Sequence, residues 1–411
     1  MNLDPRSLLS DASRLRQAGD LKSAAALLRS GLQQNPDHPA GWNLLGIIEL
    51  DSGDPVAAQA SIGRAVDIDP APPLLLNLAR AQRASGDRAR ELETLDRALS
   101  GDPYFLPAIL DKGLALRALG REGEAISLYR LLFEGISSFA DIPPTLAAQV
   151  EEARETLRRA GDLKMEAFEQ ALADVAASDQ DVDLHRARAY AEQVAGKRKV
   201  YQQRPTGGHF PYLPAIEFFD RSLFPWFAEL EKHTDAMREE VLSLWADDDE
   251  RFRPYVAYPA GVPVNQWAEL NHSLRWSAWF FWENGTRIEE NCARCPRTTA
   301  AIDSLPLLDM PGKAPTAMFS ILKPRTRIPP HTGTSNARVT IHLPLIVPPG
   351  CGFRVGAETR EWHVGEAWAF DDTIEHEAWN DSGEPRAILI VDTWNPFLSE
   401  AEREVVRRIG C

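Results

Sequence analysis

The chain has 411 residues, of which 44% are hydrophobic and 26% charged, as in an ordinary globular protein. At roughly 100–200 residues per domain, this length predicts two or three domains and allows at least one sizeable core. Lysine and arginine total 45 against 60 aspartate and glutamate residues, so the formal net charge is −15. This acidity argues against nucleic acid as a partner, because lysine and arginine neutralise phosphates, and against an anionic membrane surface.

The sequence also predicts no membrane span and a reducing compartment. No stretch approaches the roughly 18 consecutive apolar residues that a transmembrane helix needs. The first residues contain no apolar run followed by a small-residue cleavage site, so we expect no signal peptide. Four cysteines are too few for a disulfide scaffold, and a cytoplasmic setting is the default expectation.

The N-terminal third is a repeat array. A glycine followed by Asp or Arg recurs at intervals of 34, 33 and 34 residues, at Gly19, Gly53, Gly86 and Gly120. An Asn-Pro or Asp-Pro pair recurs with the same period, which makes chance an unsatisfactory explanation. A period of 34 residues is typical of the tetratricopeptide repeat, a helix–turn–helix unit.

The pattern inside the repeats also resembles that of tetratricopeptide proteins, over about residues 4–138. In the second unit, Gly46 and Ala58 are small enough for two helices to approach closely, and Ile62 fills the space between them. In the fourth unit Ser137 replaces the closing proline. Such repeats stack into a solenoid whose concave groove binds peptides or proteins. We therefore expect a peptide or protein partner there, with a rigid spacer or a dimerisation surface as the alternative.

These signals divide the chain into three predicted segments. Residues 1–140 form the tetratricopeptide domain. Residues 141–207 are a helical extension or linker, because 146–172 is rich in Ala, Glu, Leu and Arg and a Pro-Thr-Gly-Gly break follows at 205–208. Residues 208–411 form the third segment, whose composition differs: eight of the nine histidines and all four cysteines follow residue 180.

The third segment reads mostly as strands. The apolar run 276–282 predicts a buried strand or helix. Further strands are predicted at 317–322, 337–347, 352–355, 361–364, 367–370 and 387–392. Short strands separated by turn residues favour a β-sandwich or a jelly-roll barrel, with helices between about 214 and 245 packed outside it.

The predicted chemistry rests on His331, His376 and Arg386. His331 follows two prolines at a strand edge, and His376 lies 45 residues later. Two neutral imidazoles on facing strands suit a divalent first-row metal, whose usual third ligand is a carboxylate two residues after the first histidine. That position is Gly333, so the protein offers two ligands. Arg386 begins an apolar strand and would pair bidentately with a carboxylate inside the barrel. These spacings fit a double-stranded β-helix that binds Fe(II) and a 2-oxo acid.

A larger set of positions around these residues matches one known family. The matching positions are Phe319-Ser320-Ile321, Pro330-His331-Thr332-Gly333, Asn336, Arg338, His342-Leu343, Phe370-Asp371-Asp372, Glu375-His376-Glu377, Trp379, Arg386, Ile390-Val391-Asp392, Trp394 and Pro396. With these residues the chain resembles the aspartyl/asparaginyl β-hydroxylases over roughly 208–400, most densely over 318–396. Glycine in place of the third ligand is itself a feature of that family.

The resemblance implies a fold, cofactors and a metal site. The fold is a multidomain α and β arrangement, an α-helical tetratricopeptide solenoid followed by a double-stranded β-helix (jelly roll) with flanking helices. Fe(II) is expected on His331 and His376, and water can occupy the vacant position. 2-Oxoglutarate is expected to bind through Arg386, with O₂ as cosubstrate.

The resemblance also implies further residues of the cosubstrate site. It places Ser320 and His342 in that site and Arg338 near it. Thr340 departs from the pattern, because the best-known members have a second arginine there that helps to bind 2-oxoglutarate. We expect this departure to affect cosubstrate affinity rather than the chemistry.

Several other polar residues are interpreted as structural. His363 is expected on an exterior strand, and His272 in a loop. Cys292 and Cys295 have the spacing of half a zinc site, but no second CxxC follows, so free thiols are favoured over a local disulfide and zinc. The acidic run 247–250 is expected to be a solvated loop.

The leading hypothesis is an Fe(II)- and 2-oxoglutarate-dependent dioxygenase that hydroxylates a C–H bond, expected at the β-carbon of Asp or Asn in a peptide recruited by the repeats. One alternative is a halogenase of the same fold, in which chloride fills the vacant position. Others are a lipid or small-molecule hydroxylase and a repeat scaffold with a non-enzymatic ligand-binding barrel. The sequence leaves the substrate, the hydroxylated atom and the oligomeric state open.

Overall fold

The computed structural model describes residues 5–135, 142–178, 182–246 and 251–410. It divides the chain into two compact units, Met1–Lys197 and Arg198–Cys411. Within the described ranges, no helix is both long enough and apolar enough to cross a lipid bilayer.

The N-terminal unit is entirely helical in its described part. Its α-helices are α1 Pro5–Gln17, α2 Leu21–Gln34, α3 Pro39–Asp51, α4 Pro55–Ile68, α5 Pro72–Ala84, α6 Arg88–Gly101, α7 Leu106–Ala118, α8 Glu122–Gly135, α9 Ala147–Ser178 and α10 His185–Val194. Consecutive helices pair as antiparallel hairpins, so the predicted array of helix–turn–helix repeats is confirmed.

The Gly-Asp pairs of the sequence form the turns inside each repeat. Gly53, for example, has a φ of 78°, a left-handed conformation that glycine adopts without the steric penalty of a side chain. Asp54 follows it and accepts a hydrogen bond from the N–H of Ala57, which caps the N-terminus of α4. The recurring dipeptide therefore ends one helix and starts the next, which explains why it reveals the repeat period.

Small residues allow the paired helices to touch. A Cβ added to Gly46 would overlap the side chain of Ile62, and one added to Gly113 would overlap the ring of Tyr129. The predicted close approach in the second repeat is therefore confirmed. Ser137, the predicted end of the fourth repeat, lies outside the described residues.

The helical extension continues the repeat stack. Leu146, Val150 and Ala153 pack in the same hydrophobic core as Tyr129. The backbone of Gly161 approaches that of Ala195 closely enough that a Cβ at Gly161 would overlap the Ala195 carbonyl oxygen. The residues before Arg198 therefore belong to the helical unit by packing.

The C-terminal unit contains two antiparallel sheets. The strands are β1 Arg253–Pro254, β2 Trp276–Glu283, β3 Thr286–Arg287, β4 Ala317–Leu322, β5 Thr326–His331, β6 Arg338–Ile346, β7 Cys351–Val355, β8 Glu358–Arg360, β9 Trp368–Phe370, β10 His376–Asn380 and β11 Arg386–Trp394. The larger sheet has the order β1-β2-β4-β11-β6-β9, with β3 paired to β2. The smaller sheet has the order β5-β10-β7-β8. This is the expected double-stranded β-helix.

Helices cover one face of the larger sheet. They are α11 Phe227–Glu231, α12 Thr234–Ala246, α13 Glu289–Arg294 and α14 Pro296–Asp303, and α15 Glu400–Ile409 follows the last strand. A core of residues from these helices and the larger sheet includes Met237, Phe281, Phe319 and Leu343. A second core lies between the two sheets and includes Trp276, Phe353 and Phe370. The predicted flanking helices within 214–245 are confirmed.

One predicted strand is wrong. Residues 361–364 form a loop, and the neighbouring strand is Glu358–Arg360. Trp362 is buried in that loop, with its ring 5.4 Å from the ring of Phe353. The apolar signal at 361–364 therefore reports the packing of one side chain rather than sheet pairing. His363 is exposed, as expected, but in this loop rather than on a strand.

Glycine-to-alanine substitutions test the packing of the repeats. Gly113→Ala should lower the free energy of unfolding by about 1–3 kcal/mol, because the added methyl group overlaps the Tyr129 ring. Gly63→Ala, in the interior of α4 where a Cβ meets nothing within 4 Å, should instead stabilise by about 0.5–1 kcal/mol. Thermal unfolding of the two full-length variants measures both effects. Equal shifts in one direction would contradict this account of the helix contacts.

Candidate active site

The polar residues of the C-terminal unit face inward because of strand alternation. In β4, β6 and β11, odd-numbered residues pack against the helices, as Phe319, Ile341 and Leu389 do. Since successive side chains of a strand point to opposite faces, even-numbered residues face the space between the sheets. The inward set includes Ser320, Arg338, His342, Arg386 and Asp392, which line a cavity of about 430 Å³.

Two histidines lie side by side at the mouth of this cavity. His331 ends β5 and His376 begins β10, and antiparallel pairing places them directly opposite each other. Their ring centroids are 4.1 Å apart. The two histidines therefore occupy neighbouring strands of the smaller sheet, rather than the facing strands expected from the sequence.

Main-chain hydrogen bonds orient both imidazoles. Nδ1 of His331 lies 2.8 Å from the carbonyl oxygen of Pro329, and Nδ1 of His376 lies 3.0 Å from that of Ile374. A carbonyl oxygen only accepts, so each Nδ1 carries the proton and each Nε2 retains its lone pair. Burial lowers the pKa of both histidines, and the neighbouring His331 lowers that of His376 further. Both rings are thus neutral, as a metal ligand must be.

Arg386 is a buried cation without a carboxylate partner among the described residues. It is 1% exposed, and the one hydrogen bond of its side chain within the described residues is a long one, 3.4 Å from Nη1 to the carbonyl oxygen of Ser320. Its guanidinium lies 4.9 Å from the ring of Trp362, and its Nε has no hydrogen-bond partner among these residues. Burial lowers the pKa of Arg386 to about 10, so it stays charged at neutral pH. A buried charge in this state favours an anionic ligand.

Ser320 and His342 lie beside Arg386. The Ser320 hydroxyl accepts a hydrogen bond of 3.1 Å from the indole N–H of Trp276. His342 packs between aromatic rings, and its Nδ1 has no hydrogen-bond partner in the described part of the chain. Burial, with the charge of Arg386, holds the pKa of His342 well below its usual value. Both side chains therefore offer polar atoms to whatever occupies the cavity.

Arg338 differs from Arg386 because its charge is already compensated. It forms ion pairs with Asp372 and, at 3.1 Å, with Asp392. Burial disfavours the charge of Arg338, but the two carboxylates outweigh it and raise the pKa of Arg338. Oδ1 of Asp372 has no hydrogen-bond partner. This cluster has more acidic than basic groups, so it is a poor receptor for an anion.

All six predicted site residues line the one cavity. They are Ser320, His331, Arg338, His342, His376 and Arg386. Thr340, at the position of the expected second arginine, lines it too. The cavity wall also includes Tyr258 and Trp267, which were not predicted from the sequence, and Asp372, which matched the family pattern without a predicted role in the site. The ring of Trp267 lies 5.0 Å from that of His331, a contact between distant segments that no local pattern signals.

The residues present fit a metal ion held by two imidazoles. Among the described residues, no three His, Cys, Asp or Glu side chains converge as a metal-binding group. At Gly333, a Cβ would overlap the carboxylate of Asp372, so that position has no room for a ligand side chain. The donor set is therefore the two Nε2 atoms, which suit a divalent first-row metal.

The remaining candidates lie outside the cavity. His272 is exposed, and its Nε2 lies 2.7 Å from the carbonyl oxygen of Tyr258, a contact that ties two parts of one loop together. Cys292, Cys295 and Cys351 are buried, and none of them forms a disulfide with another described residue, as favoured from the sequence. The acidic run 247–250 lies outside the described residues.

Comparison with known families separates the chain into the same two parts. The family described as aspartyl/asparaginyl beta-hydroxylase matches residues 231–396. The tetratricopeptide repeat family matches residues 15–81. The resemblances identified in the sequence are therefore confirmed.

Curated relatives include hydroxylases with different names. A human aspartyl/asparaginyl beta-hydroxylase is 29% identical, over 52% of this chain and 29% of the relative. A Rhizobium tropici ornithine lipid ester-linked acyl 2-hydroxylase is 34% identical, over 44% of this chain and 62% of the relative. A mouse aspartyl/asparaginyl beta-hydroxylase is 24% identical, over 96% of this chain and 55% of the relative. The chain thus spans between 29% and 62% of these relatives' lengths.

Similar solved structures include tetratricopeptide proteins. A MamA crystal structure has a TM-score of 0.29 and 19% identity, covering 36% of this chain and 95% of MamA. YrrB, whose structure is described as a TPR protein with an unusual peptide-binding site, has a TM-score of 0.31 and 19% identity, covering 39% of this chain and 87% of YrrB.

Introducing a carboxylate at position 333 tests how closely this position approaches Asp372. Gly333→Asp should destabilise the protein by about 1–3 kcal/mol, because the new side chain overlaps that of Asp372 and adds a like charge. Adding Asp372→Gly to the same chain should recover most of the loss. Thermal unfolding of both variants measures this, with Gly333→Ala separating the steric part from the charge. A fully stable Gly333→Asp single variant would contradict the proximity of the two positions.

Proposed function

We propose that this chain is an Fe(II)- and 2-oxoglutarate-dependent dioxygenase, because its residues 231–396 match the aspartyl/asparaginyl beta-hydroxylase family. Its reaction is the hydroxylation of a C–H bond in a substrate that enters the cavity between the sheets. The observation that carries this proposal is that one cavity contains two histidines, each with Nδ1 against a main-chain carbonyl oxygen, and a buried arginine that has no carboxylate partner among the described residues.

Each residue of the cavity has a distinct task in this proposal. His331 and His376 would hold Fe(II), which with 2-oxoglutarate and O₂ supplies the oxidising power. Arg386 would bind the distal carboxylate of 2-oxoglutarate through its planar guanidinium, since Arg338 is occupied by two acidic residues. Ser320 would add a hydroxyl beside that carboxylate.

Three tryptophans that line the cavity, Trp267, Trp276 and Trp362, would keep water away from the reacting atoms. Trp267 and Trp276 lie against His331, with ring centroids 5.0 and 6.3 Å from it. Trp362 covers the guanidinium of Arg386. A dry site strengthens the ion pair of Arg386 with an incoming carboxylate, because the local dielectric is low.

We further propose that the substrate is an Asp or Asn side chain in a peptide or protein brought by the tetratricopeptide repeats. The repeat match supports a protein or peptide partner, and a recruiting groove on the same chain raises the local substrate concentration. Acyl-chain hydroxylation is the second candidate, supported by the relative named for it and by the apolar cavity residues Met318, Ile388 and Ile390. Mass spectrometry of an Asp/Asn peptide and an acyl lipid, each incubated with the iron-loaded protein, 2-oxoglutarate and O₂, separates the two.

Halogenation is less well supported than hydroxylation. A halide in the vacant ligand position beside Gly333 would meet the carboxylate of Asp372. Since like charges repel strongly in a buried site, this neighbour disfavours chloride there.

A charge-transfer band tests the metal and cosubstrate together. Fe(II) and 2-oxoglutarate added to the protein without oxygen should give a visible metal-to-ligand band, because the oxo acid chelates the iron. His376→Ala should abolish the band, since one imidazole cannot hold the ion in place. Absorption spectroscopy with folding checked by circular dichroism measures this. A folded, metal-loaded protein without the band would exclude the dioxygenase.

Titrating the same band with 2-oxoglutarate tests Arg386. Arg386→Lys should retain the charge but lose the bidentate geometry, and Arg386→Ala should lose both. Removal of a charge-assisted pair of about 1.5–3 kcal/mol predicts roughly ten- to hundred-fold weaker 2-oxoglutarate binding in the alanine variant. Arg325→Ala, an exposed arginine outside the cavity, is the control. If Arg386→Ala binds 2-oxoglutarate as tightly as the unaltered protein, another residue must bind the distal carboxylate.

A further inference from the structure

A second cavity of about 590 Å³ is lined in part by His331. It shares Tyr258, Trp267, His331 and Thr332 with the cavity between the sheets. Much of its remaining lining comes from the segment that precedes the barrel, residues 199–206. This segment, here called the flanking strand, therefore lies next to the position where a substrate would react.

The flanking strand is an extended chain held against the barrel. Residues 199–205 contain no turn or bend, and exposure alternates residue by residue from 200 to 206, as in a strand with one face covered. The N–H of Arg204 donates to the Thr373 carbonyl oxygen at 2.7 Å, and that of Thr206 donates to the Gly333 carbonyl oxygen at 2.9 Å. Its position is therefore fixed beside residues that adjoin both histidines.

The covered side chains of the flanking strand strengthen this attachment. Gln203 donates a hydrogen bond to the Asp371 carboxylate and accepts one of 3.1 Å from the Asn336 amide. The Tyr201 ring packs under the guanidinium of Arg354 at 5.6 Å. The exposed side chains are thereby left to face solvent and the cavity.

The main chain of the flanking strand has unused hydrogen-bonding groups. In the described part of the chain, the N–H and C=O groups of residues 199–203 form no hydrogen bond with other main-chain groups. An extended segment with free donors and acceptors is a template for a second extended chain. A peptide can satisfy these groups along its length, whereas an acyl chain cannot.

The charge of the flanking strand is positive in a chain that is acidic overall. Lys199 and Arg204 line the second cavity, and neither forms an ion pair with an acidic group of the described residues. Lys199 lies 4.7 Å from the Tyr201 ring, a contact that leaves its charge uncompensated. Glu375, the acidic residue of the cavity wall, is already paired with Arg354 at 3.0 Å. The wall of the second cavity therefore favours negatively charged ligands.

We propose that the flanking strand binds an extended segment of an acidic peptide, whose carboxylates contact Lys199 and Arg204 while an adjacent residue enters the cavity at His331. The proposal rests on the proposed function, because it defines the substrate of that same site. It separates two tasks: the second cavity recognises the negative charge of the flanking peptide residues, and the cavity between the sheets takes the residue that is hydroxylated.

Binding to metal-free protein tests the charge recognition. The probe is a fluorescein-labelled Ac-(Thr-Glu)₃-NH₂, compared with Ac-(Thr-Gln)₃-NH₂, by fluorescence anisotropy on the full chain. The acidic probe should bind more tightly, and added salt should weaken it. The double variant Lys199→Gln/Arg204→Gln should bind the acidic probe about five- to thirty-fold more weakly, because it loses two exposed ion pairs. Lys323→Gln/Arg325→Gln removes the same charge outside this cavity and should leave affinity unchanged.

Hydrogen exchange locates the bound peptide. The acidic probe should slow amide exchange in residues 199–203, which have free N–H groups, and leave residues 323–325 unaffected. Equal binding of the two probes, or an equal loss of affinity in both double variants, would overturn the proposal. Slower amide exchange outside residues 199–203 would overturn it too, as would binding of vesicles containing phosphatidylglycerol but of neither peptide. Because no metal is present, these outcomes are independent of the charge-transfer band, which tests the dioxygenase separately.

Discussion

The pairing of His376 with His331 across β10 and β5 is the contact on which the site depends. The ladder shifts by one residue between His376 and Ala378, where Pro329 and Pro330 lie on the opposite strand. Prolines have no N–H to donate to a ladder and are found at edges and bulges for that reason. Since a slip of one residue sends a side chain to the other face of a sheet, this irregularity determines whether two imidazoles meet.

The same alternation decides which charges the barrel must contain. It places Ser320, Arg338, His342, Arg386 and Asp392 between the sheets, where unpaired charge is costly. The fold compensates Arg338 internally and leaves Arg386 uncompensated. Arg338 is therefore part of a structural ion-pair cluster, whereas Arg386 is available to bind a ligand. The sequence around each arginine does not show this difference.

How much the sequence could predict follows from the range of the interactions. The turns of the repeats are local, since Gly53 and Asp54 each act on neighbouring residues, so the period is visible in the sequence. Residue type and spacing were enough to predict His331, His376 and Arg386 as candidates, whereas Ser320, Arg338 and His342 were expected only through the family pattern. Trp267 and the segment 199–206 were not predicted to form part of the site, because they join it through contacts with residues more than sixty positions away. The strand expected at 361–364 was wrong for a different reason, because the apolar residue Trp362 is buried from a loop, against Phe353, without pairing in a sheet.

Crowding at Gly333 also restricts how this sequence can change over time. The carboxylate of Asp372 occupies the space beside Gly333 and is paired with Arg338, which is in turn paired with Asp392. A third metal ligand at 333 would therefore need Asp372 to be lost first, which leaves Arg338 with one acidic partner. Each single-substitution intermediate would carry either an overlap at position 333 or a buried Arg338 that has lost one of its two ion pairs. A carboxylate ligand at position 333 therefore requires a coordinated change at position 372.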